Sequence, residues 1–142
     1  MALDADGSYT ELATGAGFAF ELEAPSLAAG LARAVEAFAE CVADVHPSVV
    51  ARSRTITIEG ATPSALLLGV LEECLRCTRE GEVAVSLRGA EVFEGGLRGV
   101  MDSVPATGAG LRGAMPHVVS WHELGIDNDP ASGTWRGRVV AR

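Results

Sequence analysis

The spacing of the hydrophobic residues changes along this chain, and the order of those changes constrains the fold more than any other feature. In residues 17–24, Phe18, Phe20 and Leu22 occupy every second position, and Glu21 and Glu23 fall between and after them. A period of two is typical of a strand with one buried face. The segment is therefore predicted to be a half-buried strand.

A helix is predicted directly after this strand. Between residues 26 and 42 the apolar residues recur every three or four positions, which is the period of an amphipathic helix. Pro25 ends the strand, and Ser26 is a good N-cap because its hydroxyl can accept a hydrogen bond from an unpaired backbone N–H of the first turn. The helix is predicted to run from Ser26 to Val42.

The same order of strand and helix then occurs again. Residues 53–59 alternate Thr and Ile, and these β-branched residues favour strands. Gly60 ends the strand, and Thr62 supplies an N-cap before Pro63, whose missing N–H does no harm at the first helical position. A second helix is predicted from Pro63 to about Arg79.

Beyond Gly81 the pattern changes to short strands that are separated by connections rich in Gly, Asp and Asn. Strands are predicted at 83–88, 97–101, 111–115, 118–124 and 134–141, and residues 127–133 are predicted to form a hairpin loop. The order strand, helix, strand, helix and then a run of strands predicts an α+β fold in which two helices pack on a largely antiparallel β-sheet.

Length and charge limit what such a fold can do. At 142 residues the chain has the length of one domain, so we expect a single domain over residues 1–142, with about residues 1–8 as a disordered tail. The net charge of −8 opposes autonomous, non-specific binding to phosphate backbones. All eleven basic residues are arginine, which excludes a lysine nucleophile. Because the sequence also contains no known catalytic motif, no catalytic site is predicted and the protein is not expected to be an enzyme.

Several features indicate a cytoplasmic protein. No apolar run approaches the roughly 18 to 20 residues of a membrane-spanning helix. The first residues are acidic, where a secretory signal would be basic. The three cysteines, Cys41, Cys74 and Cys77, are odd in number and fit reduced thiols better than disulfides. Cys74 and Cys77 form a CxxC pair, but structural zinc usually needs four ligands, so we interpret both as buried thiols.

Two stretches of the chain resemble a known family. The C-terminal third reads Pro116-His-Val-Val-Ser-Trp-His-Glu-Leu124 and, after a turn, Gly133-Thr-Trp-Arg-Gly-Arg-Val-Val-Ala-Arg142, while residues 11–17 read Glu-Leu-Ala-Thr-Gly-Ala-Gly. The first stretch is similar to the strand pair VKAVTYHGLEI…GGWRATVIFDI of archease, with direct matches at His122, Leu124 and Trp135. The second lies where that family has the motif DHTADVG. The chain therefore resembles archease over nearly its whole length.

The resemblance implies a fold and a function. The family's fold consists of two strand-helix-strand-strand units, one inserted into the other. The implied function is that of an accessory protein that binds a protein partner, an RtcB-type RNA ligase, and assists RNA or tRNA ligation and repair without catalysing it. Contact with RNA would then be indirect. Two alternatives stay open: a chaperone-like or regulatory protein-binding module unrelated to ligation, and a small hydrolase or transferase that uses His122 with Glu11.

The family's site positions are mostly altered in this chain. The family binds a divalent cation such as calcium through two aspartates, and a hard cation needs several oxygen ligands. Because the ligands are largely missing, we expect the metal site to be degenerate and no cofactor to be bound. When the family motifs are placed on this sequence, the acidic residue that opens the first motif is Glu11, the motif histidine falls on Leu12, and the two aspartates fall on Gly15 and Arg142. In the C-terminal strand pair a family lysine falls on His117 and a tyrosine on Trp121, while the family histidine is retained as His122.

Each candidate also has a structural interpretation. His122, His117 and Glu11 are interpreted first as hydrogen-bonded or solvated residues. Arg136 and Arg138 share one face of the last predicted strand by alternation, together with Arg142. With the nearby residues Arg98 or Arg112 they could form a basic patch that contacts RNA or an acidic partner. We favour the alternative, an edge strand protected from aggregation by its charge.

Overall fold

The structure is a computed structural model, and it describes residues 7–11, 18–43, 52–106 and 119–141. These residues form seven strands and two helices, which confirms the predicted α+β class. In chain order the elements are β1 (Ser8–Glu11), β2 (Phe18–Ala24), α1 (Leu27–Val42), β3 (Arg52–Glu59), α2 (Pro63–Arg79), β4 (Glu82–Phe93), β5 (Gly96–Pro105), β6 (Trp121–Asn128) and β7 (Trp135–Ala141).

The strands form two sheets, a division of the predicted antiparallel strands that the sequence did not specify. One sheet has the order β1-β2-β7-β6 and the other the order β3-β5-β4, with antiparallel pairing throughout both. The unit β3-α2-β4-β5 is inserted between α1 and β6 of the unit β2-α1-β6-β7. In each unit the first strand pairs with the last, and the last also pairs with the second. The nested arrangement that the resemblance implied is therefore confirmed.

Both helices begin with the same device. The Ser26 hydroxyl accepts a hydrogen bond from the Ala29 N–H at 3.1 Å, and the Thr62 hydroxyl accepts one from the Ala65 N–H at 3.1 Å. Each bond pairs a backbone donor that the helix itself leaves free. Pro63 follows Thr62 as the first residue of α2, as predicted.

One hydrophobic core joins the two units. Phe18 and Phe20 of β2 and Phe38 of α1 are buried together with residues of the inserted unit such as Leu71 and Met101. Cys74 and Cys77 are buried free thiols in this core, as predicted, and burial is the main cause that raises the pKa of each thiol. No helix of the described ranges is long and apolar enough to cross a membrane.

Several strand boundaries differ from the prediction. β4 continues to Phe93, because a register shift between Arg88 and Glu91 carries the ladder through the polar, glycine-containing segment that was interpreted as its end. β5 continues to Pro105, which pairs with Glu82 at the start of β4. β6 covers 121–128 and not 118–124, while β7 begins one residue later than predicted. The strand expected at 111–115 lies outside the described residues. β1, with Tyr9 as its one large apolar side chain, was not predicted.

The predicted hairpin loop between β6 and β7 is present. The Asp129 N–H donates to the Thr134 carbonyl at 2.8 Å, and the Gly133 N–H donates to the Asp129 carbonyl at 2.7 Å. Gly133 has a φ of 75°, a backbone conformation that favours glycine. The Asp129 carboxylate accepts hydrogen bonds within the same loop, which lowers the pKa of that carboxyl.

Candidate functional site

One end of the four-stranded sheet brings together residues from distant parts of the chain. Phe18, the first residue of β2, pairs with Ala141, the last residue of β7, and Ala141 pairs with Trp121, the first residue of β6. Glu11, the last residue of β1, pairs with Phe20. Since neighbouring strands lie about 4.8 Å apart, these four strand ends form one compact edge of the sheet.

Among the positions carried over from the family motifs, the candidate site residues are Glu11, Gly15, His117, His122 and Arg142. In sequence these five belong to this edge. Glu11 ends β1 and His122 lies in β6. Gly15, His117 and Arg142 lie outside the described residues, so the structure does not test what was predicted of them. In the sequence Gly15 falls between β1 and β2, Arg142 directly follows β7, and His117 precedes β6 by four residues. The elements that flank all five positions therefore meet at one place.

Trp121 fixes this edge to the core. Its ring packs edge-on against Phe18, with the ring centroids 5.9 Å apart, and Phe18 packs edge-on against Phe38 at 5.0 Å. The indole N–H donates a hydrogen bond to a carboxylate oxygen of Glu72 in α2 at 3.3 Å. The start of β6 is thus held both by an aromatic cluster and by the helix of the inserted unit.

His122 lies at a β-bulge. The register of β6 against β7 shifts between Trp121 and Glu123, so His122 is an extra residue in β6. His122 and Glu123 are consequently both exposed, while Trp121 and Leu124 pack against the core. Strict alternation would place His122 and Leu124 on the same face. The bulge was not predicted, although apolar residues at 121, 124 and 126 are a sequence signal for it because they break the period of two.

Two ion pairs cross the exposed face of this sheet. Arg136 Nε lies 3.3 Å from Glu23 Oε1, and Arg138 Nε lies 3.0 Å from Glu123 Oε2. All four side chains are more than half exposed. Surface ion pairs of this kind contribute little to stability, typically about 0 to 1 kcal/mol.

The charges on this face differ from the basic patch that was considered for Arg136 and Arg138. β7 lies between β2 and β6, so it is not an edge strand. Arg98 lies in β5 of the other sheet, and Arg112 and Arg142 lie outside the described residues. The exposed charged residues of the face are Glu21, Glu23, Glu123, Asp127, Arg136 and Arg138. Four carboxylates against two guanidinium groups make the described face acidic.

The described fold and sequence match one known family. The model of the archease protein family matches residues 9–141. This chain belongs to the archease family. Its fold is similar to the solution structure of protein 1598 from Methanobacterium thermoautotrophicum, with a TM-score of 0.64 and 18% identity over 92% of this chain and 95% of that one. It is also similar to an archease and possible chaperone from Thermotoga maritima, with a TM-score of 0.57 and 14% identity over 93% and 94% of the two chains.

These two structures support the fold alone, because their identity to this chain is low. No curated protein is significantly similar to the chain in sequence. The archease assignment therefore depends on the family model, which covers most of the chain, and on the nested pair of units that the structure shows.

The sequence has glycine at 15 and arginine at 142, the two positions predicted for the family's aspartates, and neither side chain supplies a carboxylate ligand for a hard cation. Of the described residues on the sheet edge, Phe18, Ala141 and Trp121 have no oxygen ligand in their side chains, whereas Glu11 carries a carboxylate. Within the described residues no group of three or more His, Cys, Asp or Glu side chains could hold a metal ion.

A second polar cluster lies in the inserted unit, and sequence reasoning missed it. Asp102 of β5 is buried and accepts hydrogen bonds from Ser53 of β3 at 2.6 Å and from Ser86 of β4 at 2.8 Å. Arg88 donates to both carboxylate oxygens, at 2.6 and 3.0 Å. The hydrogen bonds from Arg88, followed by those from the serines, lower the pKa of Asp102 to about 2. Each of the two carboxylate oxygens accepts one hydrogen bond from a serine and one from Arg88, so the cluster links the three strands and has a structural role.

Proposed function

We propose that this archease-family protein is a non-catalytic accessory protein that binds an RtcB-type RNA ligase in the cytoplasm and assists RNA or tRNA ligation. The observation that supports the proposal is the retained scaffold: both nested units are present, and the elements that flank the five candidate positions in sequence meet at one sheet edge. Trp121 fixes that edge to the core and to α2. A rigid edge of this kind suits the binding of a partner protein.

The described residues favour binding over catalysis. His122 is exposed, and no hydrogen bond or ion pair orients its imidazole within the described ranges. A general base works efficiently when a second group orients it and when it is partly shielded from water. The proposal that His122 acts with Glu11 in a small hydrolase is therefore less well supported than an accessory role.

The accessory role proposed here does not depend on a cation held by this chain. The altered positions 15 and 142 remove the oxygen ligands that calcium prefers. Calorimetric titration of the full chain with Ca²⁺ and with Mn²⁺ is expected to show no tight single site. A stoichiometric site with micromolar affinity would contradict the proposed loss of the metal site and would leave the ligase partnership to be tested separately.

The ligase partnership is tested by a multiple-turnover assay. The cognate RtcB-type ligase is given a large excess of RNA ends, with and without this chain, and the number of ligations per enzyme is counted. We expect this chain to increase that number, and we expect a fixed complex of the two proteins in sedimentation. Unchanged turnover at saturating concentrations of this chain would refute the role in ligation.

A chaperone-like role is the second candidate, because one similar structure is that of an archease described as a possible chaperone. The two candidates give different results with a protein unrelated to ligation. An accessory protein of the ligase leaves the thermal aggregation of such a protein unchanged, whereas a general chaperone suppresses it. Suppression without any effect on ligase turnover would favour the second candidate.

A further inference from the structure

β1 is a strand that the nested plan of this fold does not require. Each unit is complete with one helix and three strands, and only the four-stranded sheet carries a further strand within the described ranges. β1 pairs with β2 along one edge, and no strand in the described part of the chain pairs with its other edge. Alternate residues of an edge strand direct their N–H and C=O groups outwards, where another strand can bind them.

Two adjoining grooves accompany β1. One has a volume of about 360 Å³ and the other of about 300 Å³. Both are lined by Ser8 and Glu23, so they continue into each other along the strand pair. The larger groove is lined by Ser8, Tyr9, Thr10, Glu21, Leu22 and Glu23. A peptide added at this edge would therefore lie beside an existing depression and not on a flat surface.

The side chains on the exposed face of β1 are small, and carboxylates lie directly behind them. Ser8 pairs with Glu23, and Thr10 pairs with Glu21. A strand added to β1 would lie roughly 10 Å from β2, which is two strand spacings. The apolar stem of an arginine or lysine can lie across a serine or threonine while its charged end reaches a carboxylate beyond. Bulkier residues at positions 8 and 10 would block that path.

The two carboxylates differ in how far they are already neutralised. Glu23 is paired with Arg136. Arg138 lies directly opposite Glu21 but is paired with Glu123, and within the described residues Glu21 has no ion pair. Glu21 is therefore the carboxylate with the most to gain from a new cation, and the acidic face as a whole attracts a basic partner.

β1 is also in contact with α1. The Tyr9 side chain of β1 is hydrogen-bonded to Glu40 of α1, and burial together with that bond raises the pKa of Tyr9 above its usual value. Its hydroxyl is neutral at physiological pH and donates to the carboxylate. A strand that is fixed in this way needs little further ordering when a second strand binds, and this favours affinity.

We propose that the outer edge of β1 binds an extended, basic segment of a protein partner by strand addition, with Arg or Lys at alternate positions next to Ser8 and Thr10 and within reach of Glu23 and Glu21. This inference rests on the proposed partner-binding function and names the surface for it. A second copy of this chain is a poorer occupant, because its own β1 would bring the same carboxylates towards those of the first copy.

The test uses a fluorescent eight-residue peptide with the sequence Thr-Val-Arg-Val-Arg-Val-Thr-Gly, blocked at both ends, and a counterpart with Glu in place of both Arg. We expect saturable binding of the Arg peptide to the full chain, at least about ten-fold weaker binding of the Glu peptide, and weakening by added salt. Amide hydrogen exchange is expected to slow at residues 8–11 in the complex. Protection confined to β3 or β6, or no saturable binding, would overturn the proposal.

Matched variants locate the charge contribution. Glu21→Gln combined with Glu23→Gln is expected to weaken binding of the Arg peptide about ten-fold. Asp127→Asn removes an exposed carboxylate from the same face but from β6, and is expected to change the affinity by less than about two-fold. Equal effects of the double variant and of the control would refute the assignment to β1.

The peptide assay contains no ligase, so its outcome is separate from that of the proposed function. Peptide binding at β1 together with unchanged ligase turnover would support the surface and refute the ligase as its partner. Enhanced turnover that the double variant retains in full, with no peptide binding, would support the accessory role and refute this surface.

Discussion

On the faces that point away from the core, the two sheets use polar residues in opposite ways. The two units have the same strand order and the same type of N-cap, yet in the three-stranded sheet a buried carboxylate, Asp102, ties the strands together. In the four-stranded sheet the charged residues stand in solvent, with Arg138 and Glu123 52% and 54% exposed. The two sheets thus share a topology, but the polar residues around Asp102 are held by hydrogen bonds within the three-stranded sheet, whereas the charged residues of the four-stranded sheet can exchange their partners.

This difference indicates that the face with Asp102 contributes to stability and that the β2-β7-β6 face is available for binding. A buried carboxylate with several hydrogen bonds is costly to disturb, because its donors lose their acceptor as well. An exposed pair exchanges easily with water, salt or another protein. We therefore expect substitutions in the inserted unit to act on folding and substitutions on the β2-β7-β6 face to act on binding.

The largest expected effect comes from Asp102→Ala. The change leaves the hydroxyls of Ser53 and Ser86 without their acceptor on the face of a central strand, so the free energy of unfolding should fall by about 3 kcal/mol. Equilibrium unfolding in urea measures it. Asp127→Ala is the control on the other sheet and should cost less than about 0.5 kcal/mol. Similar losses for both variants would contradict the proposed division between the two faces.

The contribution of Asp102 to stability should also depend on pH. The pKa of Asp102 lies at about 2 in the folded protein, below the ordinary value of 3.8. A lowered pKa gives stability that is fully present above the unfolded value and is lost as the pH falls from about 4 through about 2. The loss should be roughly 2 kcal/mol, since one pKa unit corresponds to about 1.4 kcal/mol. Unfolding curves of the parent and of Asp102→Asn should therefore converge as the pH is lowered from 5 to 2, and a constant difference would exclude this cause.

The helix caps give a smaller effect, and it should be the same in both units. Ser26→Ala and Thr62→Ala each remove a hydrogen bond of 3.1 Å to a backbone N–H. Each change should lower the unfolding free energy by about 1 kcal/mol, whereas glycine at either position should cost only a few tenths. Thermal unfolding of the four variants measures this. A clear difference between the two caps would show that the units are not equivalent at this point.

Much of the fold could be predicted because it depends on local patterns. The strand at Phe18–Ala24, both helices and both N-caps follow from the period of the apolar residues and from the polar or proline residue that begins each helix. β1 was not predicted because a segment of four residues with one large apolar side chain shows no periodic spacing of apolar residues. The division into two sheets escaped it because strand pairing joins residues far apart in the sequence, which no local pattern specifies.

The polar sites were harder to predict for the same reason. Ser53, Ser86 and Asp102 come from three strands that only the tertiary fold brings together, and the predicted β5 ended one residue before Asp102. Alternation did place Arg136 and Arg138 on one face, but it could not show that β2 and β6 supply carboxylates on both sides of β7. The bulge at His122 could have been predicted from the spacing of the apolar residues in β6, but only by assuming that Trp121 and Leu124 are both buried.

The smallest expected effect tests the exchangeable face directly. Arg138→Gln removes one ion pair with Glu123 and leaves the strand pairing intact, so the unfolding free energy should change by less than about 0.5 kcal/mol. The variant also removes the positive charge opposite Glu21, so the Arg peptide should bind as tightly as before or more tightly. Fluorescence anisotropy and urea unfolding of the same sample measure both quantities. A large loss of stability would show that this face, like that of the three-stranded sheet, is part of what holds the fold together, and its charges would then not be free to serve a partner.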